Sequence, residues 1–436
     1  MIGFVGESFW PSILFAAILY VIYEWLCKEL ILGPFDGFTL TNISVASSGG
    51  LLFAFYNLNL VKFDQALQII ILYTTFYLGV AAIGKSNKNL IKKYTKLGNF
   101  SIQDVFAVDN LTENYLVITG FISLLLSLLF TAILFLSGGG GDDRIGFYKS
   151  FRSLSLVSNA CQLIFIPTSI AYCIVNKKNK NKNKNKIFPL LILNLSVLLF
   201  SGSKSGLIPI ISYASTMASV IFGKDKAVEN IKKYWLLILM LLLTPILATS
   251  YAKGSSINDS INSLLDRIYS SGDLYYYSFV VGDYTDLYKS YNFFSYLLHP
   301  FTSLIGIRGY DFPIGSKLFY FAQLAQSPNT EEMGFGPNPQ LPILYLVLLH
   351  GNFLLSVISC FFSGLLVGYS KVYAIRNLYE SLREPYVRIF NFCLFYFSSS
   401  TVILDLAAFQ FNLVGVFFLS IVISFHYKVM RFNPFK

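Results

Sequence analysis

The sequence predicts an all-α polytopic membrane protein of about eleven transmembrane helices with one long external loop. Three observations lead to this class. Hydrophobic residues make up 55% of the chain and charged residues 13%, with a mean hydropathy of +0.59, whereas a soluble domain carries about a quarter charged residues. Apolar runs long enough to cross a bilayer follow one another closely along the chain. They are interrupted once, between Tyr251 and Gln340, by a polar, aromatic-rich stretch.

The runs place spans near 9–26, 40–57, 64–84, 115–136, 151–175, 187–201, 206–222, 234–251, 341–369, 389–406 and 408–427. The run at 40–57 is the most diluted, by Asn42, Ser47, Ser48, Gly49 and Gly50, and a re-entrant segment is its alternative reading. The N-terminus lacks a basic region and a small-residue cleavage site, so the first run is expected to be a retained span. The chain then divides into N-terminal helices (1–251), an external, partly helical loop (252–340), and C-terminal helices with a tail (341–436).

Orientation follows from the basic residues. Lys28, Lys85 to Lys96, the Lys/Asn tract 176–186, Lys224 to Lys233, Lys371 to Arg388 and the tail from Lys428 hold about 23 of the 33 lysines and arginines. Short loops rich in Lys and Arg stay cytoplasmic, so the long loop is external and the C-terminus cytoplasmic. The net charge of +10 is spread over these loops, which favours membrane lipid as the partner and argues against nucleic acid. The low-complexity tract 177–186 reads as a solvated loop of this kind. Cys27, Cys161, Cys173, Cys360 and Cys393 lie in or at the ends of apolar runs without paired spacing, as small packing residues do.

The external side carries the informative polar residues. In 137–152 a glycine run leads to Arg144, Lys149 and Arg152. Outer positive charge opposes the positive-inside bias: either Asp142 and Asp143 neutralise it, or the guanidinium groups hold a phosphate. The turn SGSKSG, 201–206, sets Lys204 among backbone N–H groups able to form an anion-accepting nest, although it is also an ordinary hairpin turn. Within the loop, Arg267 lies on an amphipathic stretch with Ile261, Leu264, Leu265 and Ile268, as a surface ion pair or a phosphate ligand. The segments 275–301 and 307–315, with Tyr276, Tyr284 and Tyr310, are dense in aromatics among a few acids. Such surfaces stack sugar rings, and they also form interfacial belts. Asp283, His299, Glu331 and Glu332 are the loop's candidates for proton transfer. His299 leads on its ordinary pKa, against a structural role before Pro300. His299, His350 and His426 are widely separated and no D-x-D or H-E-x-x-H spacing occurs on the outer face, so neither metal nor cofactor is expected.

The FSGSKSG turn between paired spans, the large external loop and the segment GFGPNPQLPILYLVLLHGNF resemble the bacterial O-antigen and oligosaccharide repeat-unit polymerases of the Wzy type. Gly202, Ser203, Lys204 and Gly206, then Gly336, Pro337, Asn338, Gly351, Asn352 and Phe353, fall on that family's pattern. Lys204 departs from it, keeping the charge of the commoner arginine but not its bidentate fork.

The resemblance implies a GT-C-like glycosyltransferase of the bacterial cytoplasmic (inner) membrane. Such enzymes polymerise undecaprenyl-diphosphate-linked oligosaccharides on the outer face, with undecaprenyl diphosphate as leaving group and a chain-length regulator protein as a candidate partner. On that reading Arg144, Arg152, Lys204, Arg267 and Arg308 hold the diphosphate. Tyr276, Tyr284, Tyr310 and Asn338 bind glycan, and His299, Asp283, Glu331 or Glu332 orients the acceptor hydroxyl. The rivals are an O-antigen ligase and a lipid-linked oligosaccharide flippase or transporter. A transporter predicts short loops, two-half similarity and charges buried within the membrane, where Asp405 is the main exception expected here.

Overall fold

The structure, a computed structural model, describes residues 8–96, 110–136, 152–175, 184–200, 207–223, 293–302, 340–380 and 385–399, with isolated positions at 225–236 and at 421. Every regular element among them is helical. In chain order they are α1 (Phe9–Cys27), α2 (Gly37–Asn57), α3 (Phe63–Ser86), α4 (Lys88–Lys96), α5 (Asn110–Leu136) and α6 (Arg152–Val175). Then come α7 (Lys184–Phe200), α8 (Leu207–Phe222), α9 (Phe293–Thr302), α10 (Leu341–Leu348), α11 (Phe353–Glu380) and α12 (Pro385–Ser399).

This is a helical membrane protein. Phe9–Cys27, Gly37–Asn57, Phe63–Ser86 and Phe353–Leu378 are long and apolar enough to cross a bilayer. Shorter apolar helical stretches, Asn114–Leu129, Cys161–Ile174, Lys186–Val197, Pro209–Phe222 and Ile389–Ser399, fall on five further expected spans. The expected spans 234–251 and 408–427 lie outside the described residues apart from isolated positions.

The diluted second run is a full helix, and its composition has a reason. Buried residues make up 72% of an apolar eighteen-residue stretch of α2 but 17% of such a stretch of α1, so α2 sits inside the bundle while α1 faces outward. Its small residues let helices approach closely: a Cβ on Gly50 would meet the Ser12 carbonyl oxygen at 2.6 Å, and one on Gly49 would collide with Leu19. Helices α3 and α11 form the most extensive pair and run parallel. A Cβ on Gly79 would run into the Phe361 carbonyl, one on Gly364 into the Phe76 carbonyl, and one on Gly368 would sit 3.1 Å from Ile83 Cβ.

A second group, α5 to α8 with α12, is tied by polar bonds that hydrocarbon would leave unmade. Ser123 donates to Asn194 Oδ1 at 2.7 Å, and Asn194 Nδ2 donates to the carbonyls of Gly120 and Leu190 at 3.1 and 2.9 Å. Pro167 lies inside α6 and lacks the N–H that the Leu163 carbonyl would otherwise accept. The buried Cys393 thiol of α12 donates to that carbonyl at 3.3 Å, so this cysteine satisfies backbone as well as filling space.

The expected span 341–369 requires correction. It is two helices, α10 and α11, joined by a reversal at 349–352 where His350 has φ 55° and Gly351 φ 75°. The Gly351 N–H donates to the Leu346 carbonyl at 2.8 Å, closing the end of α10, and Asn352 Oδ1 accepts from Leu355 N at 3.1 Å, capping α11.

Candidate functional site

Two buried polar groups organise the first bundle. One begins with Asp36, the N-cap of α2, whose Oδ1 accepts from Phe38 N at 2.9 Å and whose Oδ2 accepts from Leu32 N at 3.0 Å. Lys371 of α11 donates to Asp36 Oδ1 at 2.5 Å; both side chains are fully buried, and the ammonium lies 4.5 Å from the centre of the Phe38 ring. Beside them Glu24 of α1 accepts from Thr39 Oγ1 at 3.1 Å and Asn42 Nδ2 at 2.8 Å. The charge pattern places Lys371 in a solvated cytoplasmic loop, and the described structure corrects this: α11 continues to Glu380 and buries the lysine. Charge counting along the chain does not register a partner so distant in sequence. Asp36 is legible as an N-cap, a carboxylate just ahead of an apolar helix.

The other group lies deeper. Gln340, immediately before α10, is buried and donates from Nε2 to Ser48 Oγ at 3.0 Å. Ser48 is eleven residues past Gly37, about 16 Å along a helix about 31 Å long. The long polar segment therefore ends halfway into the bundle, and α10 climbs from there to the reversal at 349–352. Tyr345 hydroxyl and Ser363 hydroxyl share a hydrogen bond between α10 and α11. Phe293 of α9 lies against Tyr345 with ring centres 6.3 Å apart, so this piece of the loop docks on α10.

Of the residues expected to form the site, Arg152 opens α6 and His299 belongs to α9; their side chains lie outside the described residues. Arg144, Lys204, Arg267, Asp283, Arg308, Glu331, Glu332, Tyr276, Tyr284, Tyr310 and Asn338 lie wholly outside them, as does Asp405. Three motif positions are described: Gly351 and Asn352 are used by the reversal and the cap, and Phe353 is the first residue of α11. Neither a protein-family model, nor a curated protein, nor a solved structure matches the chain.

Proposed function

We propose that the protein polymerises undecaprenyl-diphosphate-linked oligosaccharide repeat units at the outer face of the bacterial cytoplasmic membrane, on a GT-C-like framework of about eleven spans. The observation that carries this reading is the end of the polar segment at Gln340, hydrogen-bonded to Ser48 inside the bundle. Non-helical backbone at membrane depth is tolerated where it is buried in protein or lines a cavity. A glycosyl transfer with a lipid-anchored leaving group needs such a place, where polar loop and apolar helices meet and the polyprenyl chain stays in lipid. The loop then supplies cations to the diphosphate, with Arg144, Arg152, Lys204, Arg267 and Arg308 as candidates.

The buried Asp36–Lys371 pair is the observation a transporter reading would use, because intramembrane charges mark ion and substrate paths. Its geometry favours a staple. Asp36 sits at the end of α2, away from its middle, and both carboxylate oxygens accept backbone N–H groups.

Purified protein supplied with lipid-linked repeat unit should form polymer, and in excess chelator at close to the untreated rate. A glycan that stays at one repeat unit rejects the polymerase; activity lost to chelator and restored by magnesium or manganese rejects metal independence. Arg267→Ala and Arg308→Ala should each lower turnover on the order of tenfold to a thousandfold, because charge-assisted bonds to the leaving group strengthen as charge develops.

A further inference from the structure

The α1 face turned away from the bundle carries Leu14, Ile18, Val21, Ile22 and Trp25, all exposed and continuous along one side of a helix long enough to span a membrane. At its C-terminal end the surface changes from apolar to cationic. Lys28 Nζ lies 5.1 Å and Lys85 Nζ 5.7 Å from the centre of the Trp25 ring, so lysines from two helix ends share one indole that is itself 57% exposed. Two ammonium groups gathered on one ring repel each other unless an anion joins them.

The nearby carboxylate does not fill that role. Glu29 is engaged by Lys88 at 2.9 Å. That bond holds its carboxyl below the ordinary carboxylate range, with Lys92 and Lys28 adding to the effect. Lys28, Lys88 and Lys92 thus act on Glu29, and Lys85 joins Lys28 at the Trp25 ring, at the interfacial end of an acyl-compatible stripe.

We propose that Trp25, Lys28 and Lys85 form a binding site for the phosphate headgroup of an anionic phospholipid, whose acyl chains lie along Leu14, Ile18 and Val21. Apolar stripe, indole and cations in that order match tail, interface and phosphate of one lipid molecule, whereas a free phosphate would use only the last. Lysine fits a lipid headgroup well, because a point charge on a flexible stem follows a mobile phosphate without needing fork geometry.

The test uses full-length protein carrying Trp10→Phe and Trp235→Phe, which leaves Trp25 as its sole tryptophan. It is reconstituted in phosphatidylcholine vesicles holding equal mole fractions of either brominated phosphatidylglycerol or brominated phosphatidylcholine. The phosphatidylglycerol should win the position beside Trp25 by roughly twenty-five-fold over its bulk share, at about fivefold for each of the two lysines. Lys28→Gln/Lys85→Gln should abolish the preference, and Lys28→Arg/Lys85→Arg should keep it. In the unsubstituted-lysine protein the preference should shrink as salt rises from about 0.1 M to about 1 M, where the Debye length falls from about 10 Å to about 3 Å. This arm decides the matter even if the glutamine variant does not fold. Equal quenching by both lipids, or a preference insensitive to salt, overturns the site. Displacement of the lipid by inorganic phosphate beyond a chloride control of equal ionic strength overturns it in favour of a free anion.

Discussion

Lys371 and Asp36 show how much one buried pair decides. Each charge is stripped of water, and the cost is offset because each holds the other while Asp36 also accepts two backbone N–H groups. Removing one partner leaves the other as a bare buried charge, so Lys371→Met should destabilise the protein by about 3–5 kcal/mol. Asn at position 36 still offers an oxygen to Phe38 N, and asparagine caps helices about as well as aspartate. The double variant Asp36→Asn/Lys371→Met therefore removes both charges and keeps the cap, and should recover most of the stability. Thermal melts and the yield of monodisperse protein read this out. A double variant as unstable as Lys371→Met would show that the two charges are not coupled. Polymer length tells staple from transport path, since a staple predicts normal polymer from the double variant and a path predicts none.

At the scale of the element, the α3–α11 pair is governed by glycine. Gly364 faces the Phe76 carbonyl and Val80 N, backbone atoms that cannot swing aside. Gly364→Ala must therefore part the helices, at about 1–3 kcal/mol. A Cβ on Gly84 would meet Leu30 Cγ and Glu29 Cβ at 3.3 and 3.4 Å, side-chain contacts that call for only a small shift, so Gly84→Ala should cost much less. Melting temperatures of the two variants test this, and equal values would deny the close approach of α3 and α11. These elements also show what is legible in sequence. The spans at 9–26 and 64–84 are plain because lipid-facing helices are apolar all round. Helix α2 is harder to read because its polar and small residues face protein. The α10–α11 reversal hides in a continuous apolar run, although its chemistry stands in the letters His350, Gly351 and Asn352: a left-handed helix end followed by a cap. The loop residues chosen for catalysis and diphosphate binding rest on chemistry and resemblance alone, because their placement depends on contacts made far along the chain.

For the whole molecule, the described helices gather the basic segments at one end. Lys28 and Lys85 meet at Trp25, Lys88 pairs with Glu29, and Ser219, close to the end of α8, lies against Gly33 in the same turn region. Helix α11 runs parallel to α3 and continues past its end to Glu380, so the segment after Glu380 leaves from that side too. The opposite end carries the α1–α2 contact at Ser12 and Gly50, the α2–α3 turn and the reversal before α11. By the positive-inside rule, the topology we propose puts the end that carries Lys28, Lys85 and Lys88 in the cytoplasm and the long loop outside. Single cysteines at Ser256 and Ser327 should then react with a membrane-impermeant thiol reagent in intact spheroplasts, and one at Asn181 should not. The native Cys27, Cys360 and Cys393 are buried while Cys161 and Cys173 are half-buried, so labelling of the parent protein is subtracted as the baseline. Permeabilised cells should label all three introduced sites, which separates shielding by membrane from shielding by protein. Labelling at Asn181 alone would turn the bundle over, put the polar segment in the cytoplasm, and end the polymerase reading, since the glycan it would join is on the other side.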